Sequence, residues 1–287
     1  MDRFQIPWKL GCVAFLFSLL YAPLYPLLIH TWLNDSNNSH GLLIPLVSLY
    51  LVWQLRGTLK ASAFTTSFVG LVLLILSLIA YSASYAADLA FPARITVITT
   101  LAGLVLFNCG WSVFKLVLFP ALFLLFMVPV PDTFLGMIAF PLQLFVSDVS
   151  AHVIDWYGIP VYREGNLLYF ARYSFEVSEA CSGIRSLVSF LAIGALFAYL
   201  GSPIWSTRII LILSTVPLAI VVNLARVTGT GIVANYLGSR AAKAFLHDFS
   251  GFAVFGLGLV LMLGELWVLN TLHANRPTPT THRGCGQ

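Results

Sequence analysis

Runs of about 18 or more apolar residues recur along this chain, and each is long enough to cross a bilayer core as a helix. The stretch from 67 to 87, SFVGLVLLILSLIAYSASYAA, contains no charged residue. Composition decides what such runs mean. Hydrophobic residues make up 59% of the chain and charged ones 9%, whereas soluble domains run near 25% charged. Too few polar side chains remain to cover a water-facing surface. The expected fold is an all-α polytopic membrane protein. A membrane β-barrel is excluded, because barrels need alternating segments of about ten residues.

Eight spans are expected, at 9–30, 41–55, 67–87, 95–111, 114–130, 184–200, 208–225 and 251–272. Pro23 and Pro26 interrupt the first run and no small-residue cleavage site follows, so it reads as a retained span. Lys and Arg in short loops set orientation. The 31–40 loop carries none, while 56–66 carries Arg56 and Lys60 and reads as cytoplasmic. Alternation then puts both termini inside and 88–94, 131–183 and 226–250 outside. Residues 1–272 form one transmembrane domain. The remainder, 273–287, is a Pro- and Thr-rich cytoplasmic tail with no apolar period, expected to be disordered.

The 131–183 segment is the one long piece outside the spans. Its first part, DTFLGMIAFPLQLFVSDVSAHVIDWYG, puts apolar residues on one helical face and bends at Pro141, which suits a helix lying in the interface. IPVYREGNLLYFARYSFEV then alternates, with a turn signal at Glu164-Gly165-Asn166, and predicts a small β-hairpin of two or three short strands. Cys181 follows, just before the sixth span.

Polar groups in or beside spans are costly and are candidates for function by default. Cys181 stands where a helix N-terminus lowers a thiol pKa, with Arg185 one turn on. From local sequence alone it reads more readily as a small packing residue at a helix start. Asn223 and Arg226 are three apart near the outer end of span seven and share a helix face. Arg226 can instead snorkel toward headgroups. His247 precedes span eight on the same side. Topology thus brings Cys181, Arg226 and His247 to one membrane face: a thiol, a cation and a base, the parts of cysteine acyl transfer. His40 reads as a supporting polar group or as part of a capped loop. Arg163 and Arg172 decorate the hairpin, as solvated charges or as cations for an acidic substrate. Glu265, inside span eight, reads as a paired or rim-facing acid. The four cysteines form no CxxC pair, so no metal site or disulfide framework is expected. No cofactor is implied, and the net charge of +4 does not argue for nucleic acid.

Several of these pieces together resemble one family. NSHGLLIP (38–45), FMVPVPD (126–132), GIPVYREGN (158–166), EVSEACSGIRSL (176–187), PLAIVVNLARV (217–227) and the His247 segment are similar to those of the exosortases, bacterial integral-membrane enzymes related to the archaeosortases. The resemblance covers about 30–272. It implies a cysteine transpeptidase of the inner membrane with its active site on the outer face. The substrates would be exported proteins carrying a C-terminal sorting signal: a Pro-Glu-Pro motif, one transmembrane helix and a basic cluster. It implies Cys181 as nucleophile with Arg226 and His247 beside it, and a link to exopolysaccharide production. Arg185, His40, Asn223, Arg163 and Arg172 remain binding or supporting candidates. Three readings compete with this one, among them an intramembrane protease that only hydrolyses, which sequence does not separate from a transpeptidase. A transporter predicts polar residues near the midplane of several spans, whereas here the candidates gather at outer ends. A non-catalytic component of an exopolysaccharide machine predicts that replacing Cys181 has no effect.

Overall fold

A computed structural model of the chain describes residues 5–35, 37–171, 173–177, 183–244 and 250–274. The chain divides into two compact units, Met1–Gly136 and Met137–Gln287.

In the first unit the apolar runs become helices α1 (Gln5–Tyr21), α2 (Tyr25–Asn34), α3 (Leu43–Gln54), α4 (Arg56–Ala61), α5 (Phe68–Ala86) and α6 (Ala90–Phe123). A single 3₁₀ turn, Ala22–Leu24, separates α1 from α2. Pro23 and Pro26 cause it, since neither offers an N–H to the helix ladder. The predicted second span is a short apolar helix, Ser39–Gln54, that falls below the length of the seven helices able to cross a membrane among the described residues.

The predicted fourth and fifth spans are two halves of α6, joined without a loop. Together with the turn after α6 they cover Ala90–Met127, 38 residues, nearly twice the ~20 that one crossing needs. The break comes at Gly110, whose φ of 80° and ψ of −178° are not helical. Breaking the ladder there orphans carbonyls of the preceding turn. The segment before α5 satisfies two of them: Thr65 N–H donates to Cys109 O and Ser67 N–H to Phe107 O, each at 3.4 Å. A Cβ on Gly110 would sit 2.2 Å from Thr65 Oγ1, so both the dihedral and the close approach require glycine here.

Helices α5 and α6 meet at backbone distance through Gly70 and Gly103, which face the Leu106–Phe107 backbone and Leu74. Small residues allow this approach where lipid supplies no hydrophobic drive between helices. Hydroxyls add ties. The fully buried Tyr21 donates to Thr96 O at 3.0 Å and shares a 2.8 Å bond with Thr100 Oγ1. Ser77 donates to Thr99 at 2.9 Å, and Ser48 to Pro120 O at 2.8 Å.

The second unit holds the rest of α7 (Asp132–Trp156), strands β1 (Val161–Glu164), β2 (Leu167–Phe170) and β3 (Ser174–Glu176), and helices α8 (Ile184–Gly201), α9 (Trp205–Ala244) and α10 (Ser250–Ala274). The strands form one antiparallel sheet in the order β1-β2-β3, with Glu164 opposite Leu167 across the Gly165-Asn166 turn. The predicted small hairpin is thus a three-stranded meander.

By length and composition alone α7 counts as a span. Its surface argues otherwise. The first half exposes Phe134, Met137, Ile138 and Phe140, whereas Asp148, His152 and Asp155 lie on the open side of the second half. Charges facing lipid are costly. That second half exposes Phe145 and Trp156 too, so charged and aromatic side chains share its open side, as suits a membrane interface. The second half also packs on the sheet: Val146, Ile154, Ile159, Leu168, Val177 and Val227 form one buried core.

That core corrects one boundary. Residues 226–250 read as an outer loop, yet α9 continues to Ala244, with a break at Gly238. Leu224, Val227 and Ile232 pack against the sheet and α7, which carries the helix on past the expected end of the span. Lower down, Phe190, Ala219, Val222 and Met262 join α8, α9 and α10. Glu265 accepts a 2.7 Å hydrogen bond from Ser214 Oγ, so the acid in the last span is paired, as one of its two readings had it.

Candidate active site

The segment bearing Cys181 leaves the sheet at Val177 and joins α8 at Gly183. Both anchors are described, and residues 178–182 between them, Cys181 included, lie outside the described residues. So do His247 and Arg172.

Val177 is fully buried. Its N–H donates to Asn166 O at 2.9 Å. Its carbonyl accepts from the Asn166 side chain at 3.3 Å and from Nε2 of Gln143, a residue of α7 that is 4% exposed. Asn166 also reaches Glu176 at 3.0 Å. Non-helical backbone inside a membrane protein survives only where neighbouring groups satisfy it, and here two amides do so.

At the other anchor Gly183 precedes the first residue of α8 with a left-handed φ of 85°. Its carbonyl accepts from Leu187 N–H at 2.8 Å and so starts the helix. The chain thus turns tightly into α8 at this glycine. Asn223, 1% exposed on α9, lies against it: a Cβ on Gly183 would be 3.1 Å from the Asn223 side-chain amide. Arg226 stands one turn further along α9, half-buried, with its carbonyl held by Thr230 Oγ1 at 2.8 Å. Arg185 lies half-buried in the first turn of α8.

The structure therefore brings Asn223 onto the residue two places after Cys181 and sets Arg226 on the same stretch of α9. An apolar pocket of about 130 Å³ opens beside Gly183, lined by Ile138, Leu142, Leu187, Val216, Ala219 and Ile220. Arg163 points elsewhere. It pairs with Asp148 of α7 at 2.8 Å and donates to Gly165 O at 2.9 Å. A substrate carboxylate would compete there with Asp148. His40 belongs to the first unit, in the 3₁₀ turn Ser39–Leu42. Burial lowers its pKa, against hydrogen bonds with the Phe126 and Asn37 backbone that raise it.

A family model described as Transmembrane exosortase (Exosortase_EpsH) matches residues 32–264. The chain belongs to the transmembrane exosortases. The match takes in both units, the sheet and all of the Gln143, Val177, Gly183, Asn223 and Arg226 arrangement. No curated protein and no solved structure matches the chain. With its apolar helices, this exosortase is a multi-pass membrane protein of a sorting-enzyme family.

Sequence reasoning missed Gln143. One signal was available: an amide in the apolar run FPLQLFV, where a polar side chain needs a partner. It missed Tyr173 as well. That residue's hydroxyl donates to Gly231 O at 2.9 Å and so fastens the sheet to α9. Burial pushes its pKa up to about 12.

Proposed function

We propose that this exosortase is a cysteine transpeptidase acting on exported proteins whose C-terminal sorting signal comprises a Pro-Glu-Pro motif, an apolar helix and a basic cluster. One observation carries the reading. Within a chain of this family, Asn223 packs on Gly183, two residues after Cys181, and Arg226 follows one helical turn along.

Cys181 Sγ, its proton passed to His247, attacks the carbonyl carbon of a peptide bond near the motif. Arg226 stabilises the oxyanion that forms. The C–N bond then breaks, and the imidazolium of His247 gives its proton to the leaving amine. A thioester to Cys181 remains. An acceptor nucleophile, deprotonated by His247, attacks that thioester and releases the thiolate. The chemistry lies on the outer face of the bacterial inner membrane with both termini inside. Basic residues in the short 56–66 loop support that orientation, as does the charged second half of α7.

Co-expression with a secreted reporter carrying such a signal tests the reading. Cys181→Ala should abolish processing while membrane insertion persists. Continued processing by that variant would refute the thioester route. Mass spectrometry of the mature reporter's C-terminus then distinguishes transfer to an acceptor from hydrolysis.

A further inference from the structure

We infer that Gln143 is a positioning residue for the Cys181 segment, a role that rests on the reading of Cys181 as nucleophile. An amide inside an apolar helix is costly unless it is paired. Gln143 sits on α7 among Leu142, Leu144 and Phe145, and is 4% exposed. An unpaired amide buried so deeply costs about 1–3 kcal/mol. Gln143 meets that cost by donating from Nε2 to the carbonyl of Val177, 34 residues away.

The partner matters because of where it stands. Val177 is the last described residue before the Cys181 segment, and its N–H and side chain are already committed, to Asn166 O and to the buried core. The Gln143 bond fixes the orientation of the peptide plane through which the chain departs toward Cys181. Its own backbone carbonyl is held in turn by Ser147 Oγ at 2.8 Å. At the far anchor the Asn223 side chain lies against Gly183. An amide on α7 and one on α9 thus stand at the two described ends of this stretch. A packing role alone would be served as well by leucine, which the neighbouring positions use.

Three variants in membranes, assayed with the reporter described above, test the role. Gln143→Leu keeps the volume and removes the donor. It should insert normally yet lower the turnover number at least about tenfold with little change in apparent KM, as expected of a misplaced nucleophile. Gln143→Glu should recover turnover as pH falls, because a protonated carboxyl donates to the Val177 carbonyl while an ionised one only accepts. Tyr173→Phe removes a hydrogen bond of the same core without touching Val177. It should lose stability with turnover per folded molecule intact. If Gln143→Leu turns over like wild type, or loses activity only in step with folded protein as Tyr173→Phe does, the positioning role is overturned. The alkylation rate of Cys181 by N-ethylmaleimide, read by mass spectrometry of its peptide, keeps the test independent of processing. Should Cys181→Ala prove active, the nucleophile reading fails. An alkylation rate in Gln143→Leu equal to wild type would then overturn the positioning role, and an altered rate would sustain it.

Discussion

The two units differ in what several of their polar side chains hold. In the first, the hydroxyls of Tyr21, Ser48 and Ser77 join one helix to another. In the second, the amides of Gln143 and Asn166 hold a carbonyl that belongs to no helix, and Asn223 rests on a left-handed glycine. Helix-to-helix ties serve assembly, because regular helical backbone is already satisfied within its own segment. Ties to irregular backbone serve placement. The second unit keeps a helix-to-helix tie as well, Ser214 to Glu265, and adds amides that hold the backbone flanking residues 178–182.

Matched glycine substitutions press hardest on this contrast. Gly110 and Gly183 both have positive φ and close neighbours, and a side chain in the left-handed region costs about 1–2 kcal/mol before any clash. We expect Gly110→Val to remove folded protein from membranes. Gly183→Val should leave insertion largely intact and abolish reporter processing. Immunoblots beside a processing assay read both, and the reverse pattern would dissolve the contrast. Asn223→Leu comes next, with processing lowered by about a hundredfold at near-normal melting temperature, the scale of a misplaced catalytic group.

Smaller effects sharpen the other side. Tyr21→Phe should cost about 1–2 kcal/mol, because it strips a buried partner from Thr96 and Thr100. Thermal unfolding should register the loss while turnover per folded molecule stays constant. Tyr173 should titrate near 12 rather than 10.0 in an alkaline ultraviolet difference spectrum. A proton held more tightly in the folded state means stability is intact below 10.0 and falls as pH rises from there toward about 12. Tyr173→Phe should erase that alkaline loss. Least of all, Asp148→Asn frees Arg163 at the surface. It should change stability by less than about 1 kcal/mol and leave processing as it was.

Much of the fold was legible because lipid imposes a simple rule on composition. The apolar run at 67–87 reappears as α5, and Glu164-Gly165-Asn166 as the β1–β2 turn. Boundaries set by tertiary partners were not legible. Gly110 reads as one small residue among many until the N–H groups of Thr65 and Ser67 are seen to satisfy the carbonyls it frees. The extension of α9 past Arg226 depends on a core assembled from α7 and the sheet. At the site, the shared helix face of Asn223 and Arg226 followed from helical spacing, whereas the contact of Asn223 with Gly183 joins residues 40 apart in sequence. Gln143 was hidden for the same reason: its partner, Val177, is an ordinary apolar residue whose relevant atom is its carbonyl.

The kink at Gly110 bears on how the protein is made. Its carbonyls are capped by Thr65 and Ser67, residues that leave the ribosome some forty positions earlier. When the second half of α6 emerges, the donors that relieve its broken ladder have already been synthesised and wait beside α5. The bend can be closed as soon as it appears, without help from any later part of the chain. Closure of this bend in the first unit is thereby separated in time from synthesis of the second unit.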